Sequence, residues 1–183
     1  DIETNSGDVT CNYCAVSNSA GIGVMVKDSV DLWLNHLTVE DNTPSYDPIS
    51  IDNSGLTVGQ QGGQVNMHDI VVNTERVGTD SGPALRINRA AANIDLISLQ
   101  GNHTGIIWNG DNNGNFPSSL SRAQLSGTTC LLLTEHDIMT GINNVVTPEC
   151  TGSITLQDSN VNWSGLTDLT GATIINLDSF SKL

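Results

Sequence analysis

The feature of this sequence that most constrains its fold is an eight-residue phrase, apolar-x-apolar-x-x-apolar-x-apolar, which recurs seven times in 183 residues. Alternation with a period of two predicts a strand with one buried face, and the two-residue interruption requires a bend that keeps both halves facing inward. The phrases begin 18 to 36 residues apart, a spacing typical of solenoids. Their inward slots, some of which hold Gly, Ser or Ala from the fourth phrase on, are Val9, Cys11, Cys14, Val16; Leu32, Leu34, Leu37, Val39; Val65, Met67, Ile70, Val72; Ile94, Leu96, Leu99, Gly101; Ser118, Leu120, Ala123, Leu125; Ile154, Leu156, Ser159, Val161; and Ala172, Ile174, Leu177, Ser179.

Short apolar segments between the phrases predict a third side for each coil. These segments are residues 22–26, 49–51, 85–87, 106–108 and 131–133. Three strands per coil, stacked about 4.8 Å apart, form a parallel β-helix. Because parallel crossovers are right-handed in nearly all proteins, we expect an all-β, right-handed parallel β-helix of about seven coils.

Length and charge limit the classes of function. A chain of 183 residues is long enough for one domain with a sizeable core, so we expect a single domain over residues 1–183. Six Lys and Arg stand against 20 Asp and Glu, which gives a formal net charge of −14. This balance argues against a nucleic-acid partner, which requires basic patches. No segment reaches the ~20 apolar residues of a membrane span, so we expect no membrane insertion.

The two ends of the chain carry no recognisable cap. The opening Asp1-Ile-Glu-Thr lacks the basic start and apolar core of a signal peptide, and neither terminus has an amphipathic helix that would cover the end of a solenoid. We therefore expect a processed chain, or a piece or subunit of a larger extracellular assembly. Further domains, irregular terminal segments or other copies of the chain would then cover the ends.

Four cysteines predict two disulfides. Cys130 and Cys150 precede successive short segments about one coil apart, where stacked coils bring equivalent Cα atoms within reach of a bridge. Cys11 and Cys14 occupy inward slots and either bridge the bend or serve as core residues. A zinc site would need a second ligand pair of similar spacing, which the sequence lacks. An even cysteine count, few lysines and an acidic balance favour an extracellular or cell-surface location.

Outward positions on the third side are the first candidates for ligand binding. One residue per coil faces a ligand that lies along the solenoid, and charged groups beside an aromatic ring suit an acidic or neutral glycan. The alternative is charge pairing between neighbouring strands of an exposed sheet. The candidate ligand-binding residues are Lys27, Asp52, Arg86, Asn88 and Trp108.

Two further groups suggest metal or hydrogen-bond chemistry. Asp111, Asn113 and Asn115 have the alternating oxygen spacing of a calcium loop, without the Gly and Glu that complete an EF-hand. Calcium is therefore a candidate cofactor, and an Asn-rich turn is the alternative. His36 aligns with Asp69 at the bend of successive coils, which predicts a hydrogen-bond network at the corner or, alternatively, a metal pair.

Residues 29–39, Ser-Val-Asp-Leu-Trp-Leu-Asn-His-Leu-Thr-Val, resemble a strand phrase of the right-handed parallel β-helix proteins of the pectate-lyase-like superfamily. In pectate lyases a similar Val-Trp-Ile-Asp-His occurs, and Asn35 stands here where that phrase has Asp. The resemblance implies the same fold, and β-elimination or hydrolysis of polyuronates with calcium and an arginine base. Arg86 and Arg89 are the arginines that could serve as that base, beside Asp52.

Three hypotheses for function follow. The leading one is a non-catalytic extracellular module with a structural, adhesive or glycan-binding role, which self-assembles end to end into a filament or surface layer. Its support is the lack of a converged set of catalytic motifs. The second is a polysaccharide lyase, hydrolase or epimerase acting on an acidic polysaccharide. The third is a segment of a phage spike or of an autotransporter-like passenger.

Overall fold

The phrases and the segments between them form strands of one parallel sheet that winds into a β-solenoid of about five turns. The computed structural model describes residues 2–3, 8–19, 21–28, 31–41, 47–53, 64–74, 82–101, 104–110, 118–165, 168 and 174–178. In chain order the strands are β1 (Ile2–Glu3), β2 (Asp8–Ser17), β3 (Val24–Lys27), β4 (Asp31–Asp41), β5 (Ile49–Asp52), β6 (Val65–Thr74), β7 (Pro83–Asn88), β8 (Ala92–Gln100), β9 (Thr104–Asn109), β10 (Ser118–Ser164) and β11 (Ile174–Leu177).

Two parallel stacks account for the sides of the coil. Strands β2, β4, β6, β8 and the start of β10 pair in that order and carry the phrases. Strands β3, β5, β7, β9 and a later part of β10 form the predicted third side, where Val24, Ile49, Leu85, Ile106 and Leu131 lie in register. The described part of the chain contains no helix, and hence none that could cross a bilayer.

The core lies inside the coils and is built from the inward slots of the phrases. Leu32, Leu34, Leu37 and Val39 of β4 are fully buried, and so are the matching third-side residues Ile49 and Ile51. The first coil is less enclosed, because Cys11, Cys14 and Val16 of β2 are only partly buried against the same core. The predicted parallel β-helix is therefore confirmed, with inward slots that match the first, second, third, fifth and sixth phrases.

The fourth phrase was placed two residues too late. The register pairs Met67 with Ile94 and Ile70 with Ile97, so the inward residues are Ala92, Ile94, Ile97 and Leu99. Leu96, which was expected in the core, lies at the bend and is 39% exposed. The run from Ala92 to Gly101 fits the phrase in two frames, and the observed frame is the one with an apolar residue in all four slots.

The sixth and seventh phrases do not add two more coils of the predicted kind. Ile154 and Leu156 are buried, but they belong to the third side, as Leu131 and Leu133 do. Both pairs are followed two positions later by a residue in the left-handed conformation, Asp158 in the first case and Glu135 in the second. Strand β11 pairs with this segment, Leu156 opposite Leu177, three residues away from the predicted register. Ile175 and Leu177 are 40% and 47% exposed. The count is therefore about five turns rather than seven.

Trp108 was expected to face a ligand, and this prediction is wrong. Its side chain is fully buried and its indole Nε1 donates a hydrogen bond to the carbonyl oxygen of Ala90 at 3.1 Å. The register explains the burial: Trp108 lies opposite Ile87 and Leu133, which both point inward. Because side chains alternate along a strand, Trp108 shares the inward face with Ile106.

Both predicted disulfides are present. Cys130 and Cys150 are joined within the core across successive coils, with their Cα atoms 5.7 Å apart. Cys11 and Cys14 are joined within β2, with a Cα separation of 6.1 Å. Two disulfides indicate a protein of an oxidising, non-cytoplasmic compartment.

The two tryptophans at positions 33 and 108 provide a direct test of this assignment of inward and outward faces. Trp108→Ala removes a fully buried ring and its hydrogen bond, and we expect it to lower the free energy of unfolding by about 3–5 kcal/mol. Trp33 is 46% exposed, so Trp33→Ala should cost much less, about 1 kcal/mol or below. Urea denaturation of both variants measures the difference. Equal losses would contradict the assigned register.

Candidate functional site

One residue per coil takes a left-handed backbone conformation at the bend of the phrase strand. Its positive φ turns the chain so that the apolar slots on both sides of the two-residue interruption face inward. The φ values of these residues lie between 49° and 59°. The parallel register superposes them into what we call the bend column: Tyr13, His36, Asp69, Leu96 and Arg122.

Most of these residue types are unusual in this conformation. A left-handed residue brings Cβ close to the following carbonyl, and Gly, Asn and Asp tolerate this best. Only Asp69 in the bend column belongs to that group. Backbone strain of this kind persists where surrounding interactions determine the conformation, and it is enriched at functional sites. The contacts of these side chains therefore decide what the corner can do.

The first three bend residues form a continuous aromatic and acid–imidazole contact. The Tyr13 and His36 rings stack nearly parallel, with centroids 4.5 Å apart and an interplanar angle of 9°. Asp69 Oδ2 accepts a hydrogen bond from His36 Nδ1 at 2.6 Å, which fixes the proton-bearing nitrogen of that ring. The predicted corner hydrogen bond between His36 and Asp69 is thus confirmed.

A second row of polar side chains precedes the bend by one residue. Asn35 Nδ2 donates to Asn12 Oδ1 at 2.9 Å, and His68 Nδ1 lies 3.2 Å from Asp95 Oδ2. The His68 ring also meets the His36 ring edge to face, at a centroid distance of 6.0 Å. Hydrogen bonds between coils therefore run along the corner, with the imidazoles linking the two columns.

Asp95 is the most strongly bound carboxylate of the corner. It accepts hydrogen bonds from Arg122 Nε at 2.8 Å, from Arg122 Nη2 and from Ser121 Oγ at 2.7 Å. The hydrogen bonds from Arg122 hold the pKa of Asp95 well below its usual range, against an opposing effect of partial burial, and the Ser121 hydroxyl lowers the pKa further. The positive charge of Arg122, at one end of the bend column, is thereby paired with the Asp95 carboxylate.

Beyond the bend, short side chains leave an open groove beside the bulky bend column. Ala15, Thr38 and Val71 occupy successive outward positions in register. The groove has a volume of about 310 Å³ and crosses three coils. We call it the Tyr13 groove; it is lined by Tyr13, Cys14, Ala15, His36, Thr38, Asp69 and Val71.

The Cys11–Cys14 disulfide encloses Tyr13 in a four-residue loop. Tyr13 is 80% exposed, the largest exposure among the large apolar side chains of the described residues. Its backbone has φ 55°, and its ring is supported from one side by His36. The disulfide and the ring stack together restrict a large exposed aromatic side chain, which lowers the conformational entropy lost on binding. Sequence reasoning missed Tyr13, although it holds the same phrase position as His36.

The third-side candidates other than Trp108 lie on the outer face, where Arg86 and Asp52 already have partners. Arg86 lies opposite Ser50, and its Nε donates a 2.6 Å hydrogen bond to Asp47 Oδ2. Asn88 lies opposite Asp52 and donates to its Oδ1 at 2.9 Å.

The amide contacts of this face continue along the solenoid. Asn109 donates to Asn88 Oδ1 at 3.2 Å, and Lys27 begins the same row opposite Asp52. This is the cross-strand pairing expected of an exposed sheet.

The remaining candidates do not join a common site in the described part of the chain. Arg89 follows Asn88 at the corner of the third side, in a left-handed conformation. The predicted calcium residues Asp111, Asn113 and Asn115 lie outside the described residues. Among the residues that are described, no group of three or more His, Cys, Asp or Glu side chains could hold a metal ion.

Comparison of the chain with protein-family models, with curated proteins and with solved structures found no match. The functional argument therefore rests on the residues themselves.

Leu96 tests the strain at the bend column. A left-handed leucine pays a penalty that Asn largely avoids, so Leu96→Asn should raise the free energy of unfolding by about 0.5–1 kcal/mol. Ser98→Asn, on the same strand, is the control and should give no comparable gain. Urea unfolding at neutral pH measures both. A loss of stability in Leu96→Asn would show that the Leu96 side chain, and not its backbone, matters there.

Asp95 tests the electrostatics of the corner. Because its folded-state pKa is depressed, its contribution to stability is present above the unfolded-state value of about 4 and is lost as the pH falls further. Asp95→Asn should therefore be less stable than the parent at pH 7, and the gap should close in acid. Arg122→Gln should weaken the same pH dependence. A gap that is constant from neutral pH to about pH 2 would contradict this assignment.

Proposed function

We propose that this protein is a non-catalytic extracellular β-solenoid module that binds a glycan in the Tyr13 groove, in an adhesive or structural role at a cell surface. The exposed Tyr13 ring carries the proposal. Sugar rings present C–H faces that pack on aromatic rings, and hydroxyl groups that hydrogen-bond to polar side chains nearby. Tyr13 supplies the aromatic face, while Thr38 and Asp69 supply the polar groups.

Preorganisation supports binding at this corner. The Tyr13 ring is held by the His36 stack and by the disulfide loop before any ligand arrives. The His36 imidazole is in turn oriented by Asp69. A rigid aromatic side chain loses little entropy on association, which is why tyrosine is frequent in binding surfaces.

A second exposed ring extends the surface around the bend. Trp33 lies on the flat face before the bend, between Thr10 and Asn66 in register. Asn93 and Ser119 continue the same row, and the Ser119 hydroxyl donates to Asn93 Oδ1 at 2.9 Å. A row of hydroxyl and amide groups beside a tryptophan suits an extended neutral glycan that lies along the solenoid.

The enzymatic alternative, a polysaccharide lyase, hydrolase or epimerase of the pectate-lyase-like superfamily, would depend on Arg86 and Asp52. Arg86 is bound to Asp47, and Asp52 to Asn88. These pairs favour a structural role for that face. End-to-end assembly stays a prediction. Strand β2 is the last strand in the order of the paired sheet, and its inward residues are only partly buried, which is consistent with assembly at that end.

Binding to an immobilised panel of neutral, amino and acidic glycans tests the proposal. We expect retention without release of new reducing or unsaturated ends. Tyr13→Ala should weaken that retention about tenfold, which corresponds to about 1.4 kcal/mol. Leu96→Ala, an exposed residue of the same bend column outside the groove, is the control and should bind as the parent does.

Two outcomes would contradict the proposal. Retention that survives Tyr13→Ala but is lost in Trp33→Ala would move the site to the face before the bend. Product formation that is lost in Arg86→Ala would establish the enzymatic alternative.

A further inference from the structure

We propose that the ligand of the Tyr13 groove is a glycan with free, protonated amino groups, and that Asp69 selects it. This inference rests on the proposed function and names the chemical class of its ligand. It follows from the charges that line the groove, and from the face that the Tyr13 ring presents to solvent.

Among the described residues that line the groove there is one carboxylate, and there is neither lysine nor arginine. Asp69 lines it with a side chain that is 39% exposed, and one of its oxygens accepts the His36 hydrogen bond. A carboxylate has about four acceptor positions, so Asp69 retains capacity for a ligand donor. An ammonium group satisfies such an oxygen better than a hydroxyl does, because hydrogen bonds between charged partners are roughly twice as strong.

The Tyr13 ring adds a second preference for positive charge. The face of an aromatic ring attracts cations within about 6 Å of its centroid. One face of Tyr13 is covered by His36, while the side chain as a whole stays 80% exposed, so its free face borders the groove or solvent. His36 separates the free face of Tyr13 from Asp69, which lies two coils away, about 9.6 Å along the solenoid. The two preferences therefore act on the amino groups of different sugars in one oligosaccharide that lies along the groove.

The surroundings disfavour an anionic glycan. The chain has a formal net charge of −14, which raises the local concentration of cations and repels polyanions. The nearest cation along the bend column is Arg122, which is engaged by Asp95 through two nitrogens. The described lining of the groove therefore offers no lysine or arginine to pair with a uronate or sulfate.

The test compares two hexasaccharides that differ only in acetylation: β-1,4-linked glucosamine with free amines, and its fully N-acetylated form. Calorimetric titration at about pH 5.5 keeps the primary amines protonated. We expect the free-amine form to bind at least about tenfold more tightly, with affinity that falls as salt is raised. Asp69→Asn should remove most of that preference, because it should weaken the binding of the free-amine form much more than that of the acetylated form.

Asp158→Asn is the matched control. Asp158 is also an aspartate in a left-handed conformation, φ 47° against 55° for Asp69, but it lies on the third side, away from the groove. Its replacement should leave the preference intact. Unchanged far-ultraviolet circular dichroism and urea midpoints establish that the variants fold.

The outcomes separate this inference from the function on which it rests. Equal affinity for the two hexasaccharides, tighter binding of the acetylated form, or an unchanged preference in Asp69→Asn overturns the selection by Asp69 and leaves glycan binding standing. Failure of both hexasaccharides to bind overturns the amine inference, while the panel of neutral and acidic glycans decides glycan binding itself.

Discussion

The hydrogen bonds between parallel coils are the constraint on which the rest of this structure depends. Each coil must present its amides and carbonyls in register with the coils above and below, so a bend in one coil must lie over a bend in the next. In this chain the requirement is met by one left-handed residue per coil, from Tyr13 to Arg122. The position of the bend is thereby fixed, while the side chain that occupies it is left to vary.

Because the side chain at the bend can vary, aromatic, imidazole and carboxylate groups can all occur at this corner. Parallel strands repeat at about 4.8 Å, close to the separation of stacked rings, so aromatic residues at successive bends stack with little adjustment. Tyr13 and His36 meet this condition with a centroid distance of 4.5 Å. The same repeat lets Asp69 and Asp95 reach imidazoles one coil away. On the third side it produces a row of amide contacts from Asp52 to Asn109, which stabilises the sheet.

The sequence predicts the fold because the phrase encodes both the inward face and the bend. The burial of the inward slots of β4, the third side, both disulfides and the His36–Asp69 contact all follow from aligning the copies. The errors have the same physical origin. The run from Ala92 to Gly101 fits the phrase in two frames, so the pattern alone does not decide which residues face inward, and the copy around Leu96 was placed two residues late.

Trp108 shows a different limit of the same reasoning. The alternation of its strand places Trp108 inward beside Ile106, but an aromatic ring beside charged outward groups suggested stacking on a glycan. In the structure its indole nitrogen donates to the carbonyl oxygen of Ala90. The Tyr13 groove could not be predicted, because it arises from the contrast between bulky bend residues and the short side chains of Ala15, Thr38 and Val71 on three coils. Such a contrast becomes visible only once the register is known.

The most direct measurement is a backbone-amide nuclear magnetic resonance titration of the whole chain with the free-amine and the N-acetylated hexasaccharide. The account predicts shift changes on three successive coils at one corner, centred on Tyr13, Thr38 and Val71, while Ser50, Arg86 and Ile107 on the third side stay unchanged. Shifts confined to the third side would contradict the claim that the stacked bends of this solenoid form a glycan-binding site. The absence of shifts with either sugar would contradict the claim that its ligand is an amino glycan.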